Sequence, residues 1–349
     1  MKLGDIGDKL SAMITRPTNK KAITLGLDIG SHSVKLLGAE KNGSGRRVFV
    51  LEICPVKNND PQGAVMSIID KVGANNKEVI LGLSGQQVVI RSILLPDMSE
   101  ADFKNSLKYE AAKHIPFAIK DVILDASILK HSIGKGKMLV LLVAAKKELI
   151  DQKIKLVSAL GIEPDVIDVD SLAVTNLLRI TAEKEQKNDA TSASALLNIG
   201  KQISGLVLLQ NGLIRFSRDI IFGGNDITFK IAAALGIDIG HAEEKKISGQ
   251  WDDSARDAIA STLANLISEL RLSFDYYESQ TGKAVENVYL SGGGSCLLGI
   301  DKIMSQAMNI PFKVWNPLSA LEIDDALKKE AGGESGSRRF AVAAGLALR

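Results

Sequence analysis

Asp28, Gly30, Ser31, His32, Ser33 and Lys35 fall together where one apolar run, Leu25-Gly26-Leu27, gives way to another, Val34-Lys35-Leu36-Leu37. These types suit an anion, and a phosphate tail in particular. Gly30 lets backbone approach closely and tolerates positive φ. Backbone N–H groups and hydroxyls around Ser31, His32 and Ser33 can ring a phosphate. Asp28, at the end of the first run, can hold Mg2+ through water. The two-residue period of a strand puts Ser33 and Lys35 on one face, so Lys35 can point its charge at the same anion. Apolar run, glycine turn, apolar run is a β-hairpin. An ordinary hairpin with its polar turn in solvent has the same signature, and short glycine motifs recur by chance.

The pattern recurs. Leu196-Leu197-Asn198-Ile199-Gly200-Lys201-Gln202-Ile203-Ser204-Gly205-Leu206 follows the same plan, with Ile199 matching Ile29 and Asn198 matching Asp28. Each copy runs on to an Asn-Gly pair, Asn42-Gly43 and Asn211-Gly212, a strong hairpin-turn signal. Residues 79–85 and 288–294 echo each other as short apolar strands that each run into a Leu-Ser-Gly. This internal duplication predicts two related α/β halves with a cleft between them, their hairpins holding one polyphosphate from both sides.

The chain of 349 residues is long enough for two domains with real cores, and 24% charged content is ordinary for a globular protein. The net charge of +2 provides no field for general nucleic-acid binding, and 4% aromatics argue against a base-stacking surface. Cys54 and Cys296 form no CxxC, and the histidines have no metal spacing. A reducing compartment fits this cysteine usage. No apolar run is long enough to span a bilayer, and the start lacks an apolar signal core.

Residues 1–21 form a basic extension with apolar positions near helical spacing, suited to a short docked helix. Residues 22–83 read as three strands, a helix and a strand. In the inserted unit, 84–163, Ser99 begins a helix, and Phe103, Leu107, Ala111 and Ile115 form its apolar stripe until Pro116. Two strands and a helix at 147–160 complete that unit, read as two helices on a small antiparallel sheet. Residues 164–194 return to the first half as strand, helix and a polar connection. The second half, 195–349, carries a long helix at 257–277, a strand ending in Gly292-Gly293-Gly294-Ser295, and a small-residue helix near 339–348. Three glycines let backbone lie against a flat base, since no Cβ intrudes.

Leu27-Asp28-Ile29-Gly30-Ser31, Leu197-Asn198-Ile199-Gly200 and Leu290-Ser291-Gly292-Gly293-Gly294 resemble the phosphate 1, phosphate 2 and adenosine motifs of the actin/Hsp70/sugar-kinase superfamily. Lys108-Tyr109-Glu110-Ala111-Ala112-Lys113-His114-Ile115-Pro116-Phe117, Leu142-Val143-Ala144-Ala145-Lys146-Lys147-Glu148 and the stretch from Arg218 to Thr228 are similar to the PilM proteins of type IV pilus assembly, relatives of FtsA. The resemblance covers the chain from about residue 22 onward. It implies two duplicated actin-like (ribonuclease H-like) halves, 22–83 with 164–194 as subdomain 1A and 195–349 as 2A/2B. It places the insertion as an α+β subdomain 1C.

The resemblance also implies ATP and Mg2+ as ligands. Gly30, Ser31, His32, Ser33, Lys35, Gly200, Lys201 and Gln202 would hold the phosphates. Asp28 and Asn198 would hold the metal. Gly224, Glu243, Lys246, Gly292, Gly293, Gly294 and Ser295 would take the ribose and adenine. Asp170 matches the carboxylate or amide that orients the attacking water; a helix N-terminal acid explains it equally well. Asn198 stands where hydrolytic relatives carry Asp, and an amide adds no negative charge, so turnover is expected to be slow.

The implied partner is the short cytoplasmic N-terminal peptide of a PilN-like inner-membrane protein, in a groove of 1A and 1C. The implied location is the cytoplasm, at the inner membrane through partners. A small-molecule kinase would need a base over an acceptor, and no such constellation accompanies the duplicated motifs. An FtsA-like filament tether would carry a C-terminal amphipathic helix, which this sequence does not show after Arg349.

Overall fold

The computed structural model describes residues 23–42, 45–134, 136–184 and 193–349. The basic segment read at 1–21, Gly43, and part of the connection read at 181–194 lie outside the described residues. β1 (Ile23–Ile29) and β2 (Ser33–Asn42) form the expected hairpin, with Asp28 opposite Lys35 and Ile29 opposite Val34. β3 (Gly45–Pro55) adds an antiparallel strand. α1 (Pro61–Val72) follows. Pro61, which needs no amide partner, opens its first turn, and the Asp60 carboxylate accepts the Gly63 N–H at 2.9 Å. β4 (Glu78–Leu83) then runs parallel to β1.

The insertion contains β5 (Val88–Pro96), α2 (Glu100–Ala112), β6 (Val122–Lys130) and β7 (Lys137–Lys146). The Ser99 hydroxyl caps α2 by accepting the Asp102 N–H at 3.2 Å, and Phe103, Ala111 and Ile115 are buried as the stripe requires. α3 (Lys147–Ser158), β8 (Val166–Val169), parallel to β4, and α4 (Asp170–Lys184) complete the first half.

The second half repeats the plan with β9 (Ala193–Ile199), β10 (Ser204–Gln210) and β11 (Leu213–Ile220). The turn between β10 and β11 has Asn211 at φ 53° and Gly212 at φ 72°, the double left-handed geometry that matches strand twist. α5 (Gly224–Leu235), α6 (Ile239–Ser248) and α7 (Asp253–Thr281) lead to β12 (Asn287–Ser291), α8 (Ile300–Met308) and β13 (Phe312–Val314). The chain ends through β14 (Glu322–Ile323), α9 (Asp325–Glu330), α10 (Gly333–Ser337) and α11 (Ala341–Ala347).

Strands β3-β2-β1-β4-β8 of one sheet correspond to β11-β10-β9-β12-β13 of the other: two antiparallel pairings, then two parallel ones. The expected duplication is therefore built into the topology. Among the described residues no helix is long and apolar enough to cross a membrane.

The insertion differs from the sequence reading in two respects. Its sheet, β5-β7-β6, is not separate. β5 meets β11 at one bridge, Phe216 opposite Arg91, and prolongs the second sheet to eight strands. Of its two helices, α2 covers that sheet, with Phe103 packed on Ile93, Met138 and Val140. α3 instead joins the first half, where Ile150 and Val157 share a core with Ala64, Val65 and Ile68 of α1 and Leu25 and Leu27 of β1. An amphipathic stripe shows that a face is buried, not which surface buries it.

The largest core crosses from one half to the other. It joins Leu37 and Ile80 of the first half, Leu139 and Leu141 of the insertion, Leu196 and Val207 of the second half, and all of α11 except Gly345. α11 is buried throughout and lies against β1 and α4. Glycine makes that approach possible. A Cβ on Gly26 would lie 2.7 Å from the Ala347 nitrogen, and one on Gly345 would lie 2.5 Å from the Ala173 carbonyl carbon. Gly26→Ala and Gly345→Ala should each lower unfolding stability by about 3 kcal/mol, the upper range for overpacking. Urea titration reads this directly, and a loss below about 1 kcal/mol would mean that α11 is free to shift.

Candidate functional site

The two turns fold alike. The Gly30 N–H donates to the Ser33 carbonyl at 3.2 Å, and the Gly200 N–H to the Ile203 carbonyl at 3.1 Å. They face each other across a cavity of about 510 Å3. Asp28, Gly30, Ser31, His32 and Lys35 line it from the first half; Asn198, Gly200, Lys201, Gln202, Gly292 and Gly293 line it from the second; Asp170 also reaches it. Ser33 is buried and lies off the cavity wall, its carbonyl accepting from Gly30 and from Lys35.

Gly224, Glu243, Lys246, Gly294 and Ser295 do not line this cavity. Gly224 is tied to the second turn, its N–H donating to the Gly200 carbonyl at 2.9 Å. The Lys246 ammonium donates to the Gly224 carbonyl at 3.1 Å, to the Thr228 hydroxyl at 2.8 Å and to Glu243 at 2.6 Å. This cluster forms a polar shelf beside the second turn. The three glycines have different tasks. Gly292 sits at φ 83°, where a Cβ would crowd Asn198 and Ile199. A Cβ on Gly294 would overlap the Ile199 side chain, whereas one on Gly293 would find nothing nearer than the Arg339 side chain at 3.8 Å. Ser295 is fully buried and donates its hydroxyl to the Gly292 carbonyl at 2.7 Å.

A family model described as type IV pilus assembly protein PilM matches residues 26–349. The chain belongs to the PilM family. Its structure is similar to that of the PilM-PilN type IV pilus biogenesis complex, with a TM-score of 0.80 and 28% identity over 93% of this chain and 98% of that chain. Also similar are the ethanolamine utilization protein EutJ from Carboxydothermus hydrogenoformans (TM-score 0.49, 14% identity, 99% and 98% covered) and MreB 5 of Spiroplasma citri bound to AMPPNP (TM-score 0.47, 13% identity, 93% and 95% covered). The duplicated sheets and the PilM family membership together establish the two-half actin-like fold.

In this PilM-family cleft the charges are unevenly distributed. Asp28 pairs with Lys35 at 3.0 Å. Burial, with the nearby Asp28 charge, pushes the Asp170 carboxyl up to about 7, against a Ser84 hydrogen bond and the Lys153 charge. One oxygen of Asp170, Oδ1, has no hydrogen-bond partner, and only a glycine at position 82 leaves it room. A carboxylate that titrates near neutrality is poised to take a proton from water. Burial and then the Lys201 charge hold the His32 imidazole below its usual range, so at neutral pH it faces the second half uncharged. Burial acts to raise the Glu243 carboxyl, but hydrogen bonds from Lys246 and Thr228 outweigh it and hold it low. Among the described residues no group of three or more His, Cys, Asp or Glu side chains is arranged to hold a metal ion.

Three residues at or behind the cleft were not singled out by sequence reasoning. Asp219 accepts the Gly85 N–H at 2.9 Å across the halves, and burial raises its carboxyl. Ser84 bonds Asp170. Lys153 of α3 reaches the Ile29 carbonyl at 3.0 Å. The Leu-Ser-Gly echo pointed at Ser84 and Gly85; Lys153 carried no signal beyond being a lysine on a helix.

Since the folded-state value of Asp170 lies above the ordinary 3.8, ionisation opposes folding. The cost is absent below about pH 4 and grows until about pH 7. Asp170→Asn should therefore match wild type in melting temperature near pH 4 and exceed it increasingly up to pH 8. A pH-independent difference would contradict the buried-carboxylate account. Gly294→Ala should lower the melting temperature sharply while Gly293→Ala leaves it nearly unchanged, and equal effects would refute the assignment of packing to Gly294 alone.

Proposed function

We propose that this PilM-family chain is an ATP-binding, actin-like scaffold of the type IV pilus inner-membrane assembly complex. In this reading it works in the cytoplasm and binds the cytoplasmic N-terminal tail of a PilN-like membrane protein. The observation that carries the reading is the matched pair of glycine turns on opposite walls of one cavity, with Lys35 and Lys201 on either side.

The residues fit the ligand. Lys35 and Lys201 neutralise phosphate charge, and the turns around Ser31 and Gln202 present backbone amides. Gly293 leaves an open face for the flat base, and the Glu243–Lys246 shelf stands beside the second turn for the ribose. Asp28 and Asn198 would hold Mg2+ through water, and among the described residues no group of three or more His, Cys, Asp or Glu side chains is arranged to bind it directly. Such a metal supplies charge neutralisation on the phosphates. Asp170 orients the water from its unpartnered oxygen. Turnover is slow, since Asn198 brings no charge to the second turn.

The partner follows from the PilM-PilN complex to which this chain is similar. The tail docks between subdomains 1A and 1C, and ATP alters its affinity by favouring one arrangement of the halves.

Mg-ATP at about a hundredfold excess over Kd should stabilise the protein by about 2.7 kcal/mol, read as a rise in melting temperature. Asp28→Ala and Gly293→Val should each remove the rise, and its persistence in both would show that the site is misplaced. A pull-down with the cytoplasmic tail of a PilN-like protein, with and without ATP, tests the partner. Absence of capture together with fast phosphorylation of a sugar or acid would favour a kinase instead.

A further inference from the structure

The two halves treat one backbone group differently. In the second half the parallel ladder between β9 and β12 runs on to Asn198 opposite Ser291. The glycine loop then folds over the Ile199 carbonyl, so closely that a Cβ on Gly294 would lie 3.2 Å from it. In the first half the ladder between β1 and β4 stops at Leu27 opposite Leu81. Beyond it the chain passes through Leu83-Ser84-Gly85 into β5, with no glycine loop to fold back. The Ile29 carbonyl, which matches that of Ile199, is met by the Lys153 ammonium at 3.0 Å. Lys153 is half-buried in α3, whose Ile150 and Val157 anchor it in the first-half core.

We propose that Lys153 is a positioning residue for the first phosphate turn, replacing from α3 the loop that braces the second turn. The inference rests on the nucleotide reading of the cleft. By holding the Ile29 carbonyl, Lys153 fixes the Ile29–Gly30 peptide and hence the direction of the amides that follow. It also sets a positive charge behind the turn. Asp170 is faced by Asp28 from β1, Ser84 beyond β4, Asp219 from β11 and Lys153 from α3. Lys153 is the cation of that set, so its charge favours the ionised carboxylate.

The test is calorimetric titration of Mg-ATP between pH 6 and 9 on wild type, Lys153→Met and Lys153→Arg, with the melting temperature of each ligand-free protein as the folding control. Loss of a hydrogen bond from a charged donor predicts a roughly tenfold weaker Kd for Lys153→Met. Lys153→Arg, which keeps charge and reach, restores most of it. In wild type, affinity falls as Asp170 ionises near pH 7, because its charge repels the triphosphate. In Lys153→Met that fall moves to higher pH, a shift that a merely structural role would not produce. If Lys153→Met does not fold, Lys153→Gln, which has neither the charge nor the length, takes its place with the same expectations. Wild-type affinity and an unmoved pH midpoint in the folded variant would overturn the inference and leave the nucleotide reading standing. Failure of wild type to bind any nucleotide would overturn that reading, and this one with it.

Discussion

Three carboxylates, Asp28, Asp170 and Asp219, reach the cleft from β1, α4 and β11, and the charges of Asp28 and Asp219 add to burial in opposing ionisation of Asp170. A buried charge is tolerated only when paired or hydrogen-bonded. Asp28 is met by Lys35, Asp219 by the Gly85 amide, and Asp170 by Ser84 with Lys153 behind it. The counter-groups come from three parts of the chain: Lys35 in β2, Ser84 and Gly85 just past β4, and Lys153 in α3. The junction of the halves is therefore specified by electrostatics as well as by the apolar core beneath it. Asp170 stays incompletely satisfied, which shifts its titration toward neutrality and makes it the chemically available member of the three.

The duplication is topological, but the chemistry is not duplicated. Asp28 of one turn is matched by Asn198 of the other, and Lys35 by Gly205, which stands opposite Asn198. The first turn carries the Asp28–Lys35 ion pair; the second carries Lys201 beside Asn198, with a shelf held by Lys246 next to it. Placed around an elongated anion with a flat neutral end, that asymmetry gives the ligand a direction. A symmetric pair of charged turns would hold a polyphosphate without orienting it.

Much of this was legible in the sequence because it is local. Hairpins, the turn glycines Gly30, Gly200 and Gly212, the Ser99 cap and the repeated Leu-Ser-Gly depend on neighbours within a few residues, and the structure contains these. The long helix was underestimated at both ends: α7 extends from Asp253 to Thr281, set by the Asp252 cap and by Gly282 in left-handed geometry. What could not be read depends on contacts between distant segments. The stripe of α3 does not announce that it belongs to the first half. The seam between β5 and β11 joins residues far apart in sequence through one bridge. Three adjacent glycines look alike in a sequence, yet Gly292 and Gly294 pack closely on Ile199, while Gly293 alone of the three leaves room for a Cβ.

That seam makes the insertion part of the cleft's mechanics. Beyond Phe216 opposite Arg91 the two strands share no further bridge, while β5 and β7 pair along their full length. The Ser92 hydroxyl donates to the Ile214 carbonyl, and the Arg91 guanidinium touches the Ser217 carbonyl at 3.4 Å. Both ends of the insertion are tied to the cleft, at Gly85 through Asp219 and just past β7 through Lys153 and Ile29. A rotation of one half against the other must therefore strain the narrow bridge or carry the insertion with it. The Gly85–Asp219 and Lys153–Ile29 ties are the routes by which a ligand bearing on the cleft would reach α2 and its sheet. By linkage, anything that grips that surface feeds back equally on the cleft.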